Sequence, residues 1–133
     1  MERTLRTQKE IDIVSGHVAD AAMKLHTALG PGLLESAYKT CLVHELLGRR
    51  LRVVSELTLP VTYDGVQIDA GYRVDLLVEN TVVVEVKSVA KVLPVHEAQL
   101  LSYLKLGGYR VGLLINFQVR HLRYGITRMV NRY

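Results

Sequence analysis

The stretch RVDLLVENTVVVEVK, residues 73–87, contains two apolar strands that each carry charge in their interior. The enrichment in Val, Leu and Thr predicts one strand over 66–78 and the next over 81–89. The tight turn Glu79-Asn80 joins the two strands and sets them side by side and antiparallel. Because the run 82–84 is apolar on both faces, the second strand is predicted to lie in the middle of a sheet.

Three charged side chains, Asp75, Glu85 and Lys87, lie inside these strands. Glu85 and Lys87 are two residues apart, so both point to the same face of their strand. If residues 79 and 80 face each other in the turn, position 75 lies opposite 84 and Glu85 is a diagonal neighbour of Asp75. A bulge or a slip in register would bring the two carboxylates closer. The sequence therefore predicts that two carboxylates and an ammonium converge on one patch of the sheet.

This cluster has the composition that metal-assisted phosphodiester hydrolysis requires. Two carboxylates can hold Mg²⁺, or Mn²⁺, which keeps several waters and binds phosphate. Such a metal makes a bound water more acidic and offsets charge in the transition state. An adjacent lysine can orient the attacking water or stabilise the developing charge. The alternative is a salt bridge within the sheet, between Lys87 and either acid, since buried charge is costly unless it is paired or bound to metal.

The remainder of the chain alternates between helical and strand patterns. Apolar residues at helical spacing predict three helices, over 9–29, 33–47 and 95–106. Further strands are expected over 52–62 and 110–117, with an edge strand around 128–130. The order is α-α-β-β-β-α-β. We therefore expect one α/β domain, residues 1–133, built on a mixed β-sheet flanked by helices.

Composition and charge narrow the class of protein. The chain has 133 residues, of which 49% are hydrophobic and 23% charged, a balance typical of a globular domain. Its single cysteine excludes a disulfide framework and a cysteine-based zinc cluster. The first ten residues are polar and the apolar runs are too short to span a bilayer, so we expect a soluble cytoplasmic protein. Residues 98–133 contain six Lys or Arg and no acid, which is typical either of a surface that binds a polyanion or of a solvated tail.

Several motifs in the same order resemble one known family. Asp75 followed by Glu85-Val86-Lys87 is similar to the core of the PD-(D/E)xK nuclease superfamily, with Val74 where the superfamily's name has proline. The segment GLLESAY, residues 32–38, is similar to the motif of the GxxExxY protein family within that superfamily. The resemblance continues through AQLLSYLK at 98–105 and GLLINF at 112–117. It covers the chain from about residue 10 to residue 130.

The resemblance implies a restriction-endonuclease-like fold and a role for each matching acid and lysine. Asp75 and Glu85 would bind the metal, and Lys87 would be the catalytic lysine. Glu35 would add a further catalytic and metal-binding acid from the first core helix. Without the resemblance, Glu35 would be explained by its favourable position in the first turn of a helix.

The resemblance also assigns residues around the catalytic cluster. Gln99 and Tyr103 would be a substrate-binding pair on the helix beside the site. Gly32 and Tyr38 would be the first and last residues of the family motif. Taken alone, Tyr38 is more simply explained by core packing, and Gln99 with Tyr103 by an ordinary polar pair four residues apart on one helical face.

Together these observations predict a Mg²⁺-dependent nuclease that hydrolyses phosphodiester bonds in nucleic acid, with DNA the expected substrate. Arg120 and Arg123, in the basic third of the chain (residues 98–133), would contact phosphates without reading sequence. A homodimer is the expected assembly if a domain of this size has to cover a duplex. The rival hypotheses are a non-catalytic nucleic-acid-binding module on the same fold and an assembly or regulatory subunit.

Overall fold

The computed structural model of the protein describes residues 6–132, without the side chain of Ala70. The ends of the predicted domain, residues 1–5 and 133, lie outside the described residues. The helices and strands follow the predicted order, and each bound lies within two residues of its prediction. In chain order they are α1 Gln8–Leu29, α2 Glu35–Gly48, β1 Val53–Tyr63, β2 Val66–Val78, β3 Val82–Lys87, α3 Pro94–Gly107, β4 Val111–Asn116 and β5 Ile126–Val130.

The described strands form one mixed sheet in the order β1-β2-β3-β4-β5. β2 is antiparallel to β1 and to β3, β4 is parallel to β3, and β5 is antiparallel to β4. The parallel pair requires a crossover, which α3 supplies. This arrangement confirms the predicted α/β class with a mixed sheet flanked by helices.

Helices cover both faces of the sheet, so β3 is buried on both sides. On one face, α1 and α2 pack against Val82, Val84 and Val86. On the other face, α3 packs against Val83 and against Leu114 of β4. The continuous apolar pattern of β3 is the consequence of this double coverage, because neither face of the strand meets water.

The turn between β2 and β3 differs from its prediction by one residue. Val78 pairs with Val82, so three residues separate the strands instead of two. Thr81 belongs to the turn, and its N–H donates to the carbonyl of Val78 at 3.0 Å. The prediction that position 75 lies opposite 84 is therefore wrong. Continuing the observed register places Asp75 opposite Glu85.

The β1–β2 hairpin rotates about its long axis at Asp75. Leu76 packs in the layer of α1 and α2, whereas Val74, two residues earlier, packs in the layer of α3. In a regular strand, residues two apart share a face. Glu56 of β1 lies beside this point and has a φ of 56°, a left-handed conformation that non-glycine residues rarely adopt. Asp75 therefore lies at the point where β2 changes from one helical layer to the other, and side chains from both layers can approach it.

Candidate active site

The candidate site begins where the pairing of β2 with β3 ends. Leu76 and Val84 are the last pair on that side of the ladder. Beyond them, side-chain carboxylates accept the hydrogen bonds. The N–H of Asp75 donates to Oε2 of Glu85 at 3.1 Å, and the N–H of Val86 donates to Oδ2 of Asp75 at 2.8 Å. Each carboxylate is thus held by the backbone of the opposite strand, and the two predicted metal-binding acids are direct neighbours.

Glu85 is the electrostatically unusual member of the pair. Its side chain lies in the sheet interior, and the residue is only 6% exposed. Burial, and then the charge of Asp75, raises the pKa of Glu85 from 4.5 to about 8, although Lys87 opposes the rise. At neutral pH this carboxyl therefore retains a proton. A divalent cation that bound the pair would displace that proton, because metal ligation requires the ionised form.

Lys87 lies at the end of β3, on the same face as Glu85. It pairs in register with Asn116 at the end of β4. The buried amide of Asn116 accepts from the N–H of Val89 at 3.1 Å and donates to the carbonyl of Val89 at 3.0 Å. β3 was predicted to continue to residue 89, but this amide binds the backbone groups that would extend the strand. Asn116 therefore fixes the chain just after Lys87.

The segment from Gly32 to Tyr38 joins α2 to the end of the sheet. Tyr38 is fully buried, as core packing predicts, and its ring stacks on Phe117 with centroids 4.4 Å apart. Its hydroxyl donates to the carbonyl of Gly30 at 2.5 Å and accepts from the N–H of Leu33 at 3.2 Å. Gly32 has a φ of 106°, a conformation that favours glycine. The two motif residues thus shape the loop that precedes Glu35.

Glu35 is the first residue of α2, and its carboxylate meets the chain that follows β3. Oε1 of Glu35 accepts from the N–H of Ser88 at 3.2 Å. Ser88 directly follows Lys87, so Glu35 contacts the backbone of the residue after the predicted catalytic lysine. Glu35 therefore has a contact outside its own helix, in addition to its favourable position in the first turn of α2.

Lys39 and Glu56 are site residues that the sequence reasoning missed. Nζ of Lys39 forms an ion pair with the carboxylate of Glu56 and lies 3.9 Å from Oδ1 of Asp75. Lys39 follows Glu35 by four residues, so both lie on the same side of α2. That spacing was the available signal for Lys39. Glu56 carried no such signal, since its approach depends on the left-handed backbone in β1.

The predicted pair on α3 reaches the carboxylates from the opposite layer. Tyr103 is only 5% exposed, and it lines the same groove as Gln99. Burial, followed by the negative charges of Glu85 and Asp75, raises the pKa of Tyr103. Tyr103 packs in the same buried cluster as Val74, which precedes Asp75 in β2, so the predicted pair lies on the side of the sheet that adjoins the carboxylates.

Arg120 and Arg123 follow β4 in the chain, and they line a pocket separate from the carboxylate pair. They line a cavity of about 590 Å³ together with His26 and the Gly30–Pro31 loop. Arg128, in contrast, pairs with Asp12 of α1 at 2.9 Å. The basic third of the chain is therefore distributed over more than one surface, and Arg120 and Arg123 occupy the part next to the loop that leads to α2.

The residues of the pair fit a hard divalent cation. Two carboxylates supply the oxygen ligands that Mg²⁺ prefers, and one or two protein carboxylates are its usual number. Within residues 6–132, no three His, Cys, Asp or Glu side chains are grouped so that they could hold a metal ion. Among the described residues, the predicted third ligand, Glu35, is therefore not grouped with Asp75 and Glu85.

Comparison with known proteins adds one positive finding. A family model described as the PD-(D/E)XK nuclease superfamily matches residues 12–129. The match includes the carboxylate pair, Lys87 and the segment from Gly32 to Tyr38. Comparisons with curated proteins and with solved structures found no significant match. In the described part of the chain, no helix is both long and apolar enough to cross a membrane.

Proposed function

The chain belongs to the PD-(D/E)XK nuclease superfamily, and we propose that it is a metal-dependent nuclease that hydrolyses phosphodiester bonds in DNA. The expected cofactor is Mg²⁺ or Mn²⁺. Within the superfamily we propose the GxxExxY family, on the segment from Gly32 to Tyr38. We further propose a single cytoplasmic domain, residues 1–133, with a homodimer as its assembly.

The observation that carries the proposal is the pair of backbone hydrogen bonds that holds the two carboxylates together: the N–H of Asp75 donates to Glu85, and the N–H of Val86 donates to Asp75. A salt bridge within the sheet would require the lysine to neutralise the acids. The pKa of Glu85 nevertheless stays near 8, so the charge of Lys87 does not offset burial and the charge of Asp75. A site that keeps two carboxylates together at this cost is better explained by a cation that binds both.

Each residue of the site has a role in this proposal. Asp75 and Glu85 would hold the ion, which when bound supplies a more acidic water and a charge that offsets the transition state. Lys87 directs its ammonium to the same face and stabilises charge that develops on the phosphate. Asn116 keeps the backbone beyond Lys87 in place. Glu35 contributes a further acid beside Ser88, at the edge of the site.

The test is a cleavage assay over a substrate panel of single-stranded and duplex DNA and RNA, with Mg²⁺ or Mn²⁺. We expect cleavage of DNA that EDTA abolishes. Lys87→Ala should lower turnover by about 10²- to 10³-fold, the usual cost of removing one electrostatic group aimed at the transition state. The matched control is Lys91→Ala, which removes an exposed lysine four residues later in the chain and should leave turnover unchanged.

Two results would contradict the proposal. Equal cleavage by the wild type and by Lys87→Ala would show that the activity does not come from this site. Binding of nucleic acid without cleavage under any metal condition would instead favour the non-catalytic binding module. A protein that binds neither metal nor nucleic acid would favour the assembly or regulatory subunit.

A further inference from the structure

A groove of about 650 Å³ lies between α3 and the β1–β2 hairpin. Its lining is mostly apolar, with Val95 and Leu106 among the residues that form it. The polar side chains of Gln99 and Ser102 also line it, together with the rings of two tyrosines. Grooves of this size and composition are typical of sites for flat organic groups that carry a few polar atoms.

Tyr103 makes the groove continuous with the proposed active site. It lines the groove, and it packs in the same buried cluster as Val74, the residue that precedes Asp75 in β2. The ring of Tyr72, on β2, lies 6.3 Å from that of Tyr103 and is tilted by 54°. Tyr72 is 44% exposed, so an aromatic surface remains open next to the site.

The charge of the groove matches a nucleic acid. Lys105 lines it, and no acidic residue does so among the residues that the structure describes. A nucleobase needs an aromatic or apolar surface for its faces and an amide or hydroxyl for its edge. The phosphates on either side of the base need a cation. Tyr72 offers the aromatic surface, Gln99 the amide and Lys105 the cation.

We propose that the groove receives an unstacked nucleobase next to the scissile phosphate, with Tyr72 as its stacking surface. This inference rests on the proposed nuclease function and deepens it. A base inside a duplex has both faces covered by its neighbours, so it cannot stack on Tyr72 without leaving the helix. The substrate is therefore single-stranded, or locally unpaired, where the protein cleaves it.

The test measures binding of three oligonucleotides by fluorescence anisotropy in Mg²⁺, with the Lys87→Ala protein as the parent because its cleavage is expected to be about 10²- to 10³-fold slower. The probes are a single strand, an abasic strand with the same number of phosphates, and a duplex. Tyr72→Ala should weaken binding of the single strand by about 5- to 150-fold, the usual contribution of one base stacked on an aromatic ring. The abasic strand should lose little, because it has no base to stack.

Two further variants separate stacking from other roles of tyrosine. Tyr72→Phe keeps the ring and should retain the affinity for the single strand. Tyr63→Ala removes another exposed tyrosine, at the end of β1 and outside the groove lining, and should leave binding unchanged. Thermal melting of each variant shows that it is folded.

The outcomes distinguish a failure of this inference from a failure of the proposed function. If the parent protein binds none of the oligonucleotides, the nuclease proposal and the nucleobase site are both overturned. If it binds the single strand and Tyr72→Ala does not weaken that binding, only the nucleobase site is overturned. Equal losses for the single and abasic strands would also overturn it. A dimer that Tyr72→Ala dissociates in analytical ultracentrifugation would assign the groove to a second copy of the chain instead.

Discussion

Replacing Glu85 by Gln should stabilise the protein at alkaline pH and change its stability little near pH 4.5. Burial and the charge of Asp75 raise the pKa of Glu85 from 4.5 to about 8 in the folded protein. Between these two values the folded state holds a proton that the unfolded state has released. The free energy of unfolding of the wild type must therefore fall as the pH rises through this range. Gln has the shape of the protonated acid and no charge, so the variant lacks this loss.

The expected size follows from the two pKa values. The difference between 4.5 and about 8 corresponds to up to about 5 kcal/mol, at about 1.4 kcal/mol per pH unit. That is a large share of the 5–15 kcal/mol by which domains of roughly this size are usually stable. Relative to the variant, the wild type should therefore be most stable below about pH 5 and least stable above about pH 8.

The assay is urea unfolding of both proteins at intervals from about pH 5 to about pH 9, with EDTA present. The quantity of interest is the difference between the two proteins at each pH, because other titrating groups cancel in it. Glu10→Gln is the control, since it makes the same substitution at an exposed acid at the start of α1. A constant difference between wild type and Glu85→Gln across the whole range would refute the reasoning, because Glu85 would then not titrate there.

Four further changes test other parts of the structure. Asp75→Asn should leave the metal-free melting temperature equal or higher. It should also remove the stability that the wild type gains from about 10 mM Mg²⁺, which is about 1.4 kcal/mol for an assumed dissociation constant of about 1 mM. Destabilisation without any Mg²⁺ response in either protein would favour the salt bridge. Neutralising Arg120 and Arg123 together should flatten the slope of log affinity against log salt by about 1.8 on duplex DNA, at about 0.9 per phosphate contact, and an unchanged slope would exclude both from the binding surface. Tyr38→Phe should cost about 1–3 kcal/mol in urea unfolding, because two backbone groups lose the hydroxyl that they share; no loss would mean that water replaces it. Lys39→Ala should increase the rise in melting temperature that Mg²⁺ causes, because it removes a cation 3.9 Å from Asp75. A smaller rise would make Lys39 a positioning residue.

Local patterns in the sequence were sufficient for the elements and for the main members of the site. The apolar spacing of α1 and the unbroken valines of β3 reflect burial, which acts on each residue along its own helix or strand. Charges inside an apolar strand are costly wherever the strand lies, so Asp75, Glu85 and Lys87 stand out before any contact is known. The family motifs add Glu35 and the α3 pair in the same way.

The contacts among these residues depend on geometry that no local pattern specifies. A turn of two or of three residues suits Glu79-Asn80-Thr81 equally well, and the three-residue form places Asp75 opposite Glu85. Lys39 reaches Asp75 because the hairpin rotates where Glu56 adopts a left-handed backbone, a conformation that only the surrounding packing can hold.

The physical reason for this division is the range of the interactions. Helix and strand formation are governed by groups a few residues apart, and these are adjacent in the sequence. The register of a hairpin, the hand of its rotation and the approach of a helix are set by packing between residues that are far apart in the chain. Such packing arises when the layers close on β3, and it is this closure that brings the charges of α2, β1 and α3 around the carboxylate pair.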